Sequence, residues 1–373
     1  MNIIETLSKL VQINSVSANS NAEIISYLSS RLEAKGFSTK YHTYTDDKGV
    51  EKTNMIAFYG DDDSTVELAL VGHTDTVPFK SDWADALTLT EKDGKLYGRG
   101  SCDTKGFIAA ALTAVDSVDL SGLKKPLALV FTADEEIGCI GAKKLADTKP
   151  FKANNAIVGE PTSLQPMRAG KGYCLAEVFF KGREGHSAYP QVGANAIYRA
   201  ARLVNEIEKI AEDLKQDVRV EFEPPFTTLN VGLINGGSAK NIIAGECRFT
   251  LEWRPVPNQR ASHVLDLITK AAEEQKEHDA DFIYEIVVLR LDEGMSTPAD
   301  AELVKFLESE TGKASGTIAF GTEAPQMIEL GARAVVLGPG DIRVAHRTGE
   351  YAPVDELKEC ARVLQKAIER FCV

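Results

Sequence analysis

Apolar residues recur along this chain with two different rhythms, and the change between them divides it. The opening MNIIETLSKLVQIN and residues 22–35 (AEIISYLSSRLEAK, ending at Gly36) carry apolar side chains at helical spacing. Short apolar runs at 66–72 (VELALVG), 127–133 (LALVFTA) and 156–159 (AIVG) predict buried strands, and a helical stretch at 105–118 separates the first two. Short buried runs spaced by helices predict a largely parallel sheet with helices on both faces.

Near residue 171 the rhythm changes. CLAEVFFKG alternates like a half-buried strand, and a long helix follows at about 193–215. TTLNVGLING and ECRFTLEWRP then read as strands joined by a turn-rich segment, followed by a helix at about 261–276 and the strand-like IYEIVVLRL. Strand–helix–strand–strand–helix–strand is the split βαβ order of ferredoxin-like α+β domains. After about residue 288 the first rhythm returns, with helices near 300–312 and 355–371 and a buried run at 333–338. The expected architecture is α/β. A mostly parallel-sheet domain is built from residues 1–171 and 288–373, and an α+β domain, 172–287, is inserted into it.

Composition narrows the class. A chain of 373 residues is long for one compact domain and fits two. The formal charge of −13 argues against a nucleic-acid partner, which would want a basic face. It leaves an anionic small substrate open, because a local arginine can override net charge. The opening lacks the basic segment and apolar run of a signal peptide, and no apolar stretch reaches the roughly 20 residues that span a bilayer. The six cysteines (102, 139, 174, 247, 360 and 372) are widely spaced without a CxxC pair, which fits a reduced, cytoplasmic compartment.

Six polar residues each sit in a short segment that reads as a strand end or a turn beside glycine: His73, Asp103, Glu135, Glu136, Glu160 and His346. In open α/β sheets the ligand crevice lies at the carboxyl ends of the strands. Two imidazoles and three carboxylates suit a pair of divalent cations, zinc above all, and the remaining carboxylate is free to act as a base on water. Taken singly, each has an ordinary reading. His73 and Asp75 in GHTDTVP form a polar strand end, or a ligand backed by a carboxylate that fixes its tautomer. Asp103 in GRGSCDTKG is ordinarily a helix cap, and the GxG before it is too incomplete for a nucleotide loop. Glu135 and Glu136 read as a solvated turn, weakened by the nearby Gly138 and Gly141, which suggest a tight loop. Five such residues or pairs, each after a separate buried run, are hard to dismiss together.

GHTDTVP, GRGSCDTKG, TADEE, GEPTS and the late loop with His346 resemble the di-zinc aminoacylase and carboxypeptidase family of metallohydrolases, over essentially the whole chain. The resemblance implies a zinc-dependent amidohydrolase with two Zn2+ per subunit, for which Co2+ could substitute. His73 and Glu160 would hold one ion, Glu136 and His346 the other, and Asp103 would bridge them. Glu135 would be the general base on a metal-bound hydroxide and Asp75 the partner of His73. The resemblance also implies a cis peptide after Asp103. The insert falls where that family has its lid, which closes over substrate and pairs two copies into a homodimer. There His186 in GREGHSAYP and Asn241 in GGSAKNII match residues that serve the oxyanion, His186 in its own or the partner subunit, and Arg254 in LEWRP matches one that grips the substrate's α-carboxylate. For Arg254 the ordinary alternative is a strand-edge arginine paired with a nearby glutamate; for His186 it is a surface loop.

Within the family, GEPTSLQPMRAGKGY and GTEAPQMIELGARAVVLGPGDIRVAHRTGEY point to removal of the acetyl group from N2-acetyl-L-ornithine, a step of arginine biosynthesis. Thr322 and Glu323 lie in the substrate loop of this resemblance. Glu323 would meet the substrate ammonium, or else face water. Lys171 and Lys240 could help with an anionic group or simply be solvated. Arg347, beside His346, would disfavour a cationic substrate if it faced the pocket. That keeps desuccinylase, aminoacylase and dipeptidase activities open as alternatives.

Overall fold

The computed structural model describes residues 2–61 and 65–373. In it the apolar runs become the middle of a sheet. Its main strands are β1 (Ser38–Thr45), β2 (Glu51–Tyr59), β3 (Val66–His73), β4 (Leu127–Thr132), β5 (Ala153–Val158) and β6 (Arg333–Val336). They lie in the order β1-β2-β4-β3-β5-β6. β4, β3, β5 and β6 are parallel, and β2 and β1 extend one side antiparallel. Every residue of β4 is buried, as an unbroken apolar run requires.

Strand alternation sends β3 side chains to both faces. Leu68 and Leu70 join a core formed with the helices Ile3–Gln12, Ala22–Glu33, Lys105–Ser117 and Val354–Cys372. Ala69 and Val71 are equally buried but lie outside that core. The helices Ile140–Thr148 and Ala324–Glu329 pack on one another and on the sheet, also outside it. The sheet is thus covered on both faces, as the sequence rhythm implied. The register levels the carboxyl ends of the parallel strands: His73 pairs with Thr132, and Val158 pairs with both Val71 and Val336.

The chain forms two compact units. The first comprises Met1–Arg168, Thr297–Gly316 and Thr322–Val373; the second comprises Ala169–Ser296 and Thr317–Gly321. In the second unit the strands Thr228–Gly236, Glu246–Arg254, Tyr173–Lys181 and Ile283–Asp292 lie side by side in that order, all antiparallel. Tyr173–Lys181 buries alternate residues, and Cys174, Ala176, Val178 and Phe180 pack against Ala200, Leu203 and Ile268 of the two helices. The first of those helices is Ala196–Leu214 rather than 193–215. Asn195 caps it, its side chain accepting from Ile197 and Tyr198 N–H, so the preceding residues stay outside the helix. Among the described residues no helix is long and apolar enough to cross a membrane.

Candidate active site

All six residues read from the sequence belong to the first unit, where the carboxyl ends of the parallel strands bring them together. His73 is the last residue of β3, Glu135 and Glu136 follow β4, Glu160 follows β5, and His346 lies in the loop beyond β6. Asp103 precedes the helix Lys105–Ser117, joined to Thr104 by a cis peptide. It does not cap that helix, whose N-cap residue is Thr104. Two glycines allow the chain to pass so closely. A Cβ at Gly159 would lie 2.2 Å from the Phe107 ring, and one at Gly141 would lie 2.3 Å from Ala133 O and Asn54 Oδ1.

Asp103 sits between the two imidazoles. Its Oδ1 is 3.0 Å from His73 Nε2, and its Oδ2 is 3.1 Å from His346 Nε2. His346 Nε2 is also 2.9 Å from Glu136 Oε2. Two groups of donor atoms result, each within 4.8 Å: His73, Asp103 and Glu160, and Asp103, Glu136 and His346. The first is buried, while His346 leaves the second partly open. Glu135 stands beside both groups, its Oε2 4.0 Å from His73 Nε2.

Asp75 supports this set through its main chain as well as its carboxylate. His73 Nδ1 lies 3.0 Å from the Asp75 main-chain carbonyl and 3.7 Å from its carboxylate. A neutral ring donating Nδ1–H to that carbonyl presents its Nε2 lone pair to the site. The Asp75 carboxylate also accepts from the main-chain N–H of Glu135 at 3.1 Å, that of Glu136 at 3.3 Å, and the Ser17 hydroxyl at 2.7 Å. It therefore holds the backbone of the paired glutamates.

The electrostatics are those of a cation site. Burial, reinforced by neighbouring carboxylates, raises Glu135 to about 8, with His73 opposing. Burial and then Asp103 raise Glu136, and burial with Asp103 and Glu135 holds Glu160 well above the carboxylate range. Burial opposes the Asp103 charge as well, but hydrogen bonds from His346 and His73 hold it well below its ordinary value. Hydrogen bonds to Asp103 and Glu136 raise His346 to about 10. Burial works against a charged His73, yet Asp103, Asp75 and Glu135 outweigh it and hold it well above its usual value. Four carboxylates crowded into one dry cluster repel each other unless positive charge joins them. Imidazole nitrogens and carboxylate oxygens on converging strand ends form a donor set that fits divalent cations of the zinc type.

Comparison with known proteins agrees. Residues 69–370 match the description of peptidase family M20/M25/M40. The chain belongs to this family. Membership makes it a metal-dependent hydrolase. The chain is 53% identical over 369 residues to a Myxococcus xanthus protein named acetylornithine deacetylase, a match spanning 98% of this chain and 97% of that one. A tripeptidase from Staphylococcus aureus subsp. aureus Mu50 has a similar structure, with TM-score 0.76 and 21% identity over 99% of this chain and 98% of that one. So does an M20 metallo-carboxypeptidase from Sulfolobus solfataricus, with TM-score 0.74 and 20% identity over 100% and 99%. At these identities the two structures speak for the fold alone.

The remaining residues suggested by the M20 resemblance fall in both units. In the first, Thr322 is buried and its hydroxyl accepts from Ala324 N–H at 3.0 Å. Glu323 does not face water. It is fully buried, and burial raises it to about 7 against the pull of His73 and of a hydrogen bond with Thr132. Arg347 is exposed, with Nη1 3.4 Å from Arg343 O. In the second unit His186 and Asn241 lie side by side: His186 bridges Ile242, and Ser187 N–H donates to Asn241 O at 3.1 Å. His186 is exposed and its Nδ1 accepts from Ala188 N–H at 3.1 Å. Arg254 has the neighbour an ordinary strand-edge arginine would have, with Nε 2.8 Å from Glu252 Oε1, Nη1 3.0 Å from Ala319 O, and the guanidinium over the Tyr173 ring. Lys171 is engaged with main-chain carbonyls, Pro224 O at 2.7 Å and Phe226 O at 2.6 Å, and Lys240 is exposed.

Other supports were not read from the sequence. Asp134 takes a left-handed backbone, φ 56°, just before the paired glutamates. Its carboxylate is 2.9 Å from the buried Lys52 Nζ and accepts from Tyr44 OH at 2.9 Å. Asn54 closes the same loop, accepting from Ala133 N–H and donating to Gly141 O, both at 3.0 Å. A third acid beside Glu135 and Glu136 was the available signal for Asp134. Its lysine partner lies on another strand and gave none.

Proposed function

We propose that this chain hydrolyses N2-acetyl-L-ornithine to L-ornithine and acetate, with two zinc ions as cofactors. The observation that carries the reading is the 53% identity, over nearly the full length of both chains, to a protein named acetylornithine deacetylase. His73 and Glu160 would hold one ion, Glu136 and His346 the other, and Asp103 both, in keeping with the two donor groups that share it. When bound, such ions polarise an acyl carbonyl and lower the pKa of water towards ~7.

The residues supply the rest. Glu135 takes the proton of the attacking water and delivers it to the leaving amine, so that the C–N bond breaks to a neutral amine rather than an amide anion. Its burial makes it a stronger base than an ordinary carboxylate. In a neutral His186 whose Nδ1 accepts a main-chain N–H, the proton sits on Nε2, which makes the ring a donor suited to a developing oxyanion. The Asn241 side-chain amide would be a second such donor. Arg254 still has an Nη2 edge for the substrate carboxylate. Glu323 would answer the substrate's side-chain ammonium, since a fully buried carboxylate favours a cation beside it. Thr322 lines the same loop.

Cytoplasmic arginine biosynthesis is the setting this reaction implies. A homodimer through the second unit is in keeping with its edge strand Thr228–Gly236, where Leu233 and Ile234 are exposed. A single-chain mass by light scattering would remove the dimer.

The test is amine release from N-acetyl-L-ornithine by zinc-loaded protein, with N-succinyl-diaminopimelate alongside. Efficient hydrolysis of the first alone, abolished by a chelator, is expected. Turnover of only the second, or of neither while zinc is bound, overturns the assignment. Metal analysis of protein purified without added metal tests zinc.

A further inference from the structure

Glu350 lies four residues beyond His346, is fully buried, and has no part in the reaction described above. Its Oε1 accepts from the main-chain N–H of Cys102 at 2.9 Å and of Asp103 at 3.0 Å. Its Oε2 pairs with the Arg99 guanidinium, which stacks over Trp83. Its main-chain carbonyl accepts from Gly98 N–H at 3.1 Å. One residue thus joins the loop ending in Asp103 to the loop carrying His346. These two loops are remote in sequence and hold donors of the same ligand group.

A buried ion pair is a poor route to stability alone, because an apolar pair of similar volume does as well without desolvating charge. Its directional bonds do what apolar packing cannot, which is to fix the main chain at Asp103. That aspartate directs one oxygen to His73 and the other to His346. A small rotation of its backbone would displace both oxygens together, whereas zinc–oxygen distances tolerate only about 0.2 Å.

We propose that Glu350 is a positioning residue for the metal centre: held by Arg99, it fixes Asp103 and ties the His346 loop to it, so that both donor groups keep one geometry. This rests on the metal-binding reading above. Losing the Glu350 carboxylate weakens both cation sites together, whereas losing Glu160 or Glu136 weakens mainly one.

The experiment uses the full chain, wild type, Glu350→Ala and the isosteric Glu350→Gln. Zn2+ and Co2+ affinities are measured by calorimetry on metal-stripped protein, with the visible spectrum of the Co2+ form and the melting temperature with and without metal. The expected result for Glu350→Ala is about 10–100-fold weaker binding of both ions, altered Co2+ bands, and a smaller rise in melting temperature on loading. Glu350→Gln falls between, since its amide oxygen still accepts the two N–H groups while its amino group faces Arg99. Wild-type affinity and an unchanged Co2+ spectrum in either variant, even with a lower melting temperature of the metal-free form, would show that Glu350 only props the fold. If Glu350→Ala does not fold, Glu350→Gln decides by the same criteria. If the wild type itself takes up neither ion, the metal reading falls and this proposal with it.

Discussion

Glu135 and Glu136 are neighbours in the chain, yet they part company in the site. Glu136 turns its Oε2 to His346, and its Oε1 accepts from Val77 N–H at 3.2 Å. Glu135 stands further from an imidazole, its Oε2 4.0 Å from His73 Nε2, and its Oε1 accepts from the Cys139 thiol at 3.3 Å. With its N–H held by Asp75, the Glu135 side chain is fixed without being a member of either donor group. Glu135→Ala is therefore expected to lower kcat about 10²–10⁴-fold with metal content unchanged by elemental analysis. Near-normal turnover would remove Glu135 as the base. The imidazoles give a second expectation. In metal-free protein at pH 7 the carboxylates keep protons on His346, raised to about 10, and on His73. A ligand imidazole must be neutral, so loading releases these protons and apparent affinity falls as pH falls. Calorimetry in buffers of different ionisation enthalpy should show net proton release on zinc binding at pH 7. Proton uptake would contradict the charge arrangement. At this scale the side chains of the site were legible, because each lies at a strand end or in a turn beside glycine. Their atoms were not: no spacing indicates that Asp75 meets His73 by a carbonyl, or that Glu323 is turned away from water.

The loop from Thr132 to Ile140 shows what an element needs beyond its side chains. It must turn sharply after β4 while presenting two adjacent glutamates. Asp134 and Cys139 both adopt left-handed backbones, and the chain returns so closely that Ile140 N–H donates to Asp134 O and Gly141 N–H to Ala133 O. Gly141 is tolerated there for lack of a Cβ. Gly141→Ala places a carbon 2.3 Å from Ala133 O and Asn54 Oδ1, so the loop must shift. The expected cost is about 1–3 kcal/mol, read as a lower denaturant midpoint, together with weaker metal binding through Glu136. A variant with wild-type stability and affinity would show that the loop yields without consequence. The pairing of Gly138 and Gly141 signalled a tight loop in the sequence. The Lys52–Asp134 contact that holds it was hidden, because it depends on the β2–β4 register and not on local pattern.

The two rhythms of the sequence correspond to two cores. Helical spacing and unbroken apolar runs made the covered parallel sheet legible, and strict alternation made the antiparallel one legible. The short return of Thr317–Gly321 to the second unit was not, since a few residues carry no periodicity. Separate cores imply separable consequences. Trp253 is wholly buried in the second unit among Phe249, Leu251 and Val264, and its Nε1–H donates to Ala261 O at 2.8 Å. Trp253→Ala removes the ring and leaves that carbonyl without its donor, at a cost of about 3–5 kcal/mol. The six residues of the candidate metal centre all belong to the other unit. The variant is therefore expected to lose stability in thermal melting while its metal-stripped form binds zinc with wild-type affinity at a temperature where it remains folded. Loss of zinc affinity under those conditions would mean that the metal centre depends on the second core, contrary to a centre built wholly from residues of the first unit.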